Sequence, residues 1–160
     1  MKNRIIFLGL SLLLYGIALA LPCLLFNVVP IAPTVNPNHV YAMKGAELTI
    51  FGIIGLLFLQ IPAIGWFANP VYGLCCILFM RQQYKFSAIA GLASVAIGFG
   101  GTLSAFWFTL PADSGGIAKF TLNQPLFGFW LWLAAPGLLA LISVFRLVKM
   151  PQHPKKLTET

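Results

Sequence analysis

Residues 48–80 read LTIFGIIGLLFLQIPAIGWFANPVYGLCCILFM. These 33 residues carry no charge and include Gln60, Pro62, Gly65 and the run Trp66-Phe67-Ala68-Asn69-Pro70. A membrane-spanning helix needs about 20 apolar residues, so the stretch is too long for one plain crossing and too short for two good ones. Pro62 lacks an N–H and crowds the carbonyl four residues back, which predicts a break near Phe58–Gln60. Asn69-Pro70 has the form of a fresh helix start, with Asn as cap and Pro at the first helical position.

The residues on either side have the same character. Of the 160 residues, 59% are hydrophobic and 8% are charged, where soluble domains carry about 25% charged residues. The chain therefore reads as an integral membrane protein. Its net charge of +7 sits at the ends of apolar segments, where basic residues set orientation and meet anionic lipid headgroups. No basic helix and no zinc-finger spacing points to nucleic acid. The three cysteines, Cys23, Cys75 and Cys76, form no C-x-x-C pair, so neither a zinc site nor a redox dithiol is indicated. Met1–Cys23 has the basic start and apolar run of a signal segment. Pro22 stands directly before Cys23, where cleavage calls for a small residue, so an uncleaved first helix is expected.

Four helices are expected, over about residues 5–26, 46–82 with a break, 86–110 and 125–145. They would form one all-α polytopic four-helix bundle over residues 1–150, followed by a mobile basic cytoplasmic tail over 146–160. Gly16 and Ala20 on the first helix are spaced for close approach of a neighbour. Tyr15 reads as a packed core tyrosine. Residues 27–43 contain Pro30, Pro33 and Pro37 and should run extended, with His39 solvated among them. Lys44 and Glu47 are spaced to pair weakly at the start of the second helix. On the third helix Ala90, Ser94, Gly98 and Thr102 form an i, i+4 ridge of small residues, the mark of a helix that others pack against. A loop follows with Asp113, Ser114-Gly115-Gly116 and Lys119. Asn123 and Pro125 are read as starting the fourth helix, and Pro136-Gly137 should kink it.

Charge decides how often the long stretch crosses. With one crossing and the N-terminus inside, the inner side holds Lys2, Arg4, Arg81, Lys85, Arg146, Lys149, Lys155 and Lys156, which is eight of the ten basic residues. With two crossings it holds only Lys2, Arg4 and Lys119. The positive-inside rule selects the first arrangement, with both termini cytoplasmic. The excess length then calls for a kinked or discontinuous helix whose break, Gln60–Asn69, is shielded by its neighbours. Phe106, Trp107, Phe108, Phe127, Phe129, Trp130 and Trp132 fall together as an outer aromatic belt.

The chemistry the chain lacks is as informative. No Asp, Glu, Lys, Arg or His falls within an expected span, which speaks against proton-coupled transport and against haem held in the bundle. No His or carboxylate cluster suits metal-assisted hydrolysis. Neither an enzymatic activity nor a cofactor or metal is expected.

Gly45-Ala46-Glu47-Leu48 through Gly52 and Gly55 to Trp66-Phe67-Ala68-Asn69-Pro70 resembles a glycine-studded apolar run, ending in an A-N-P step, found in a family of small four-helix bacterial inner-membrane proteins with no established activity. Phe129-Trp130-Leu131-Trp132-Leu133 resembles the same family's aromatic-aromatic-leucine-tryptophan-leucine segment. The resemblance covers about half the chain. It implies four helices in a bacterial cytoplasmic membrane and assigns no functional residue.

Three roles follow as expectations. The first is a non-enzymatic accessory subunit or assembly partner of a membrane complex, with membrane lipids and a membrane protein as its partners. The second is a binding or conduit protein for a lipid or neutral solute, its site formed at the helix break by Gln60, Trp66, Asn69 and Pro70. The third is a toxin-immunity protein.

Overall fold

A computed structural model describes residues 2–31, 39–111 and 118–149. Pro33, Pro37, Asp113, Ser114-Gly115-Gly116 and the tail from residue 150 onward lie outside the described residues.

The first helix, α1 (Lys2–Ala20), stops well short of residue 26. Pro22 disfavours helical backbone at the residue before it, and the chain passes into a strand, β1 (Pro22–Pro30). A second strand, β2 (His39–Lys44), leads directly into α2 (Gly45–Leu57). A 3₁₀ helix (Ile61–Phe67) runs on into α3 (Ala68–Met80), and α4 (Tyr84–Leu103) ends in a 3₁₀ turn (Ser104–Phe106). Two further strands, β3 (Leu110–Pro111) and β4 (Ala118–Pro125), precede α5 (Phe127–Lys149).

The expectation of an all-α chain is therefore corrected. The four strands form an antiparallel sheet in the order β2-β1-β4-β3. The central pairing joins Leu24 to Pro125 and Pro30 to Ala118, across most of the chain. Period-two burial drives it: Phe26, Met43, Ala118 and Leu122 turn inward, while Asn27, Lys44, Lys119 and Asn123 face out. His39 is thus the first residue of a strand. Asn123 and Pro125 belong to β4 and do not start a helix, because β1 pairs with them before the helical period begins at Phe127. At the other end α5 takes in Arg146 and Lys149, which were expected in the tail. It continues through Pro136 as one helix.

The long stretch resolves by reversal. Helix α2 ends at Leu57, and Gln60 N–H donates to Gly55 O (2.9 Å) while Leu59 N–H donates to Leu56 O (3.0 Å). This pair of bonds is the Schellman closure of a helix C-terminus. Its left-handed position is held by Leu59, at φ 53°. The 3₁₀ helix then returns antiparallel along α2, with Gly55 against Ala63 and Gly52 against Trp66. The helix expected over 46–82, broken or kinked near Gln60–Pro70, does break after Leu57, and the chain there reverses as a helical hairpin that leads into α3. The α-helix does restart at Ala68, one residue from the expected Asn69-Pro70, but it continues the 3₁₀ helix, whose own start is Gln60-Ile61-Pro62, with Pro62 in the first turn, where its missing N–H has no partner to lose. Asn69 caps nothing.

Helices α1, α5, α4 and α3 contact one another in that order, and α3 returns to α1. Among the described residues, three helical stretches are long and apolar enough to cross a membrane: Ile61–Met80, Tyr84–Phe106 and Phe127–Lys149. The apolar part of α1 and the 13 residues of α2 are shorter. Since Ile61–Met80 suffices for a crossing by itself, the excess length of the long stretch is taken up by α2.

Small residues set the helix contacts. Ser94 Oγ donates to Ala68 O (2.8 Å), Gly98 lies under Trp132 and Leu133, and Thr102 abuts Gly65. Ala90 is buried in the same core as Tyr72, Cys75 and Leu139. Gly16, by contrast, faces open space, so the Gly16–Ala20 face receives no neighbour. Arg4 reaches Met80 O at 3.4 Å, which places the start of α1 beside the end of α3. Because α3 and α4 meet there and α5 runs antiparallel to α4, Arg4, Arg81, Lys85, Arg146 and Lys149 gather at one end. The sheet lies at the other end. The exposed aromatics Phe106, Trp107, Phe108, Phe127 and Trp130 surround that end.

Candidate functional site

A cavity of about 980 Å³ opens between the α2 hairpin, the sheet and the helical core. That is near the top of the range of roughly 300–1,000 Å³ occupied by small-molecule sites. Each wall comes from a different element. The outer wall is the α2 face carrying Leu48, Phe51, Ile54 and Phe58, and the roof is the inner face of the sheet, with Phe26, Met43 and Phe120. The floor is Ala105, Phe129 and Trp132 of the helical core.

The hairpin is pinned at three places. At the base of α2, Gly45 N–H donates to Leu21 O (3.1 Å), and glycine is required because a Cβ there would strike the backbone of Ala18. Glu47 does not pair with the Lys44 side chain. Its carboxylate accepts from Lys44 N–H (3.0 Å) and from Tyr41 Oη–H (3.1 Å). That hydrogen bond, followed by burial and the nearby negative charge, raises the Tyr41 phenol above its ordinary value. At mid-length Trp66 Nε1–H donates to Thr49 O (2.9 Å), with the indole lying on Gly52.

Three of the four residues expected to form a site at the helix break line this one cavity: Gln60, Trp66 and Asn69. Pro70 does not line it and is exposed. Gln60 stands at the hairpin turn. Trp66 divides its roles, using its nitrogen to latch α2 and its ring as cavity wall. Asn69 lies deeper, where its Oδ1 accepts two hydrogen bonds, from Tyr15 Oη–H (3.0 Å) and from Trp132 Nε1–H (3.0 Å). An indole nitrogen only donates, so these bonds fix which end of the amide is oxygen. The Nδ2 hydrogens have no protein partner among the described residues. Of the packing ridge, Thr102 also reaches the cavity wall, while Ala90, Ser94 and Gly98 serve helix contacts.

No Asp, Glu, Lys, Arg or His is among the described residues that line the cavity. Cys23 does line it, 3% exposed, and burial pushes its thiol up to about 12. Among the described residues no three His, Cys, Asp or Glu side chains come together as a metal site. The cavity can therefore offer apolar and aromatic surface and neutral hydrogen-bond donors, and no charge.

Sequence reasoning missed the sheet's share of this site. In the sequence, Phe26 falls at the expected end of the first helix, and Met43 and Phe120 fall in expected loops. The available signal was the alternation of Phe120 and Leu122 with polar neighbours, which is too short to separate a strand from a helix start. No family model matches the chain, and no curated protein or solved structure is similar to it.

Proposed function

We propose that the chain is a membrane protein that binds a lipid-like or other neutral apolar molecule in the cavity beneath the α2 hairpin. The observation that supports this reading is the cavity's large, uncharged, largely apolar interior together with its rim. Phe51, Ile54 and Phe58 line it and are also exposed, by 53%, 42% and 73%. Such a rim is costly in water and matched in lipid. In this reading α1 joins the three longer helical stretches as a fourth crossing. The basic end lies at the cytoplasmic face of a bacterial inner membrane, as the positive-inside rule directs. The cavity then opens in the outer half of the bilayer.

The test is lipid retention. Leu48→Trp fills the cavity without adding charge, and after purification in mild detergent it should carry much less co-purified lipid than wild type by native mass spectrometry. Equal retention by a folded Leu48→Trp chain would sink the reading.

The accessory-subunit role has one separate support. β2 is an edge strand with five of its six residues exposed, and an open edge is a template for strand addition. Cross-linking from Val40 in native membranes should capture a partner segment if that role applies. Capture of lipid alone would favour the binding role.

A further inference from the structure

We infer that Asn69 is the recognition residue of the cavity, and that the occupant is a neutral amphiphile presenting a carbonyl oxygen to its amide N–H groups. This rests on the cavity being a binding site and specifies its ligand class. Tyr15 and Trp132 together hold the Asn69 oxygen, so the amide cannot rotate to offer an acceptor without breaking both bonds. What it offers is therefore a donor. Leaving an amide donor unmatched in an apolar site is unfavourable, so a ligand acceptor gains there. The walls restrict the rest of the ligand. Without a lining Lys, Arg or His among the described residues, a carboxylate or phosphate would lose its hydration with no compensating charge. Trp132 beside Asn69, with Phe129 against it, suits a flat or apolar body, and the Phe51–Phe58 rim suits a hydrocarbon tail.

A glycerolipid ester and a long-tailed quinone share this chemistry, a neutral carbonyl on an apolar body. Both are probed in one experiment. In a chain carrying Trp107→Phe and Trp130→Phe, the remaining tryptophans, Trp66 and Trp132, both line the cavity. Their fluorescence is titrated with a brominated hydrocarbon, its methyl ester analogue, the matching carboxylate, and an alkyl benzoquinone.

The ester, the quinone or both should bind about five- to tenfold more tightly than the hydrocarbon, as one hydrogen bond allows. The carboxylate should bind less tightly than the ester. Whichever carbonyl probe shows the preference identifies the source. Asn69→Leu should abolish the preference while hydrocarbon quenching persists, which also reports that the fold survives. Asn69→Asp, read at a pH where its carboxylate is ionised, keeps an acceptor for Tyr15 and Trp132, removes the amide donor, and should abolish it as well. A wild type with no carbonyl preference, or a preference that survives both variants, overturns the inference. Absence of hydrocarbon quenching in wild type would instead remove the binding site itself.

Discussion

Leu59 is one of two non-glycine residues at positive φ among the described residues, with Gln82. It is 90% exposed and sits in the left-handed region that glycine fills at most helix ends. A branched side chain in that conformation costs about 1–2 kcal/mol. Leu59→Gly should therefore stabilise the hairpin by about 1 kcal/mol, measured as a shift in denaturant unfolding in micelles. A loss of stability would mean that the apolar side chain contributes more in its surroundings than the backbone loses. Cys23 makes the opposite case, a residue sealed by its surroundings. Its raised folded-state value means that the protonated thiol stabilises the fold fully below the ordinary thiol value, and that this contribution is lost progressively as pH rises from there to about 12. Near pH 8 the native thiol should react with maleimide at least about a hundredfold more slowly than in the denatured chain. Comparable rates would show that β1 leaves Cys23 open to reagent.

The α2 hairpin is the element that makes the cavity. Helix α2 has little hold of its own beyond its base, so the Trp66–Thr49 hydrogen bond is its latch. Trp66→Phe keeps the ring on Gly52 and removes the bond, at a cost of about 0.5–1.5 kcal/mol. Amide exchange should then quicken across residues 50–57 and stay unchanged in α5. Uniform change, or none, would refute a local latch. Much of this element was legible in the sequence. Pro62 marked the break, and Gln60, Trp66 and Asn69 were grouped because they were the polar and bulky residues near it. The reversal was not legible, because the turn residue is Leu59 and no glycine announces it. Asn69 was misread as a cap because Asn-Pro imitates a helix start, while its true partners, Tyr15 and Trp132, lie 54 and 63 residues away. The sheet escaped for a related reason. PCLLFNVVP continues the apolar run of α1 without interruption, and its pairing partner lies near the far end of the chain.

For the whole molecule, basic residues at one end and a sheet ringed by aromatics at the other set up a single directional test. With the basic end inside, a membrane-impermeant amine reagent added to sealed right-side-out cells should modify Lys44 and Lys119 and spare Lys85 and Lys149. The reverse pattern would invert the proposed orientation and place the cavity in the inner half of the bilayer. At 8% charge, composition alone pointed to membrane-length apolar helices, and three such stretches stand among the described residues.

The pairing of β1 with β4 also governs how the protein is assembled during synthesis. Leu24 meets Pro125 only after about a hundred intervening residues have emerged. Contacts of such high sequence separation form late, after the local helices. Until then β1 has β2 alone as a partner, and the space under α2 has no complete roof. The order of assembly is therefore helices first and closure last. In the proposed membrane setting, this order predicts a stage in which the future cavity is still open, before β4 pairs with β1.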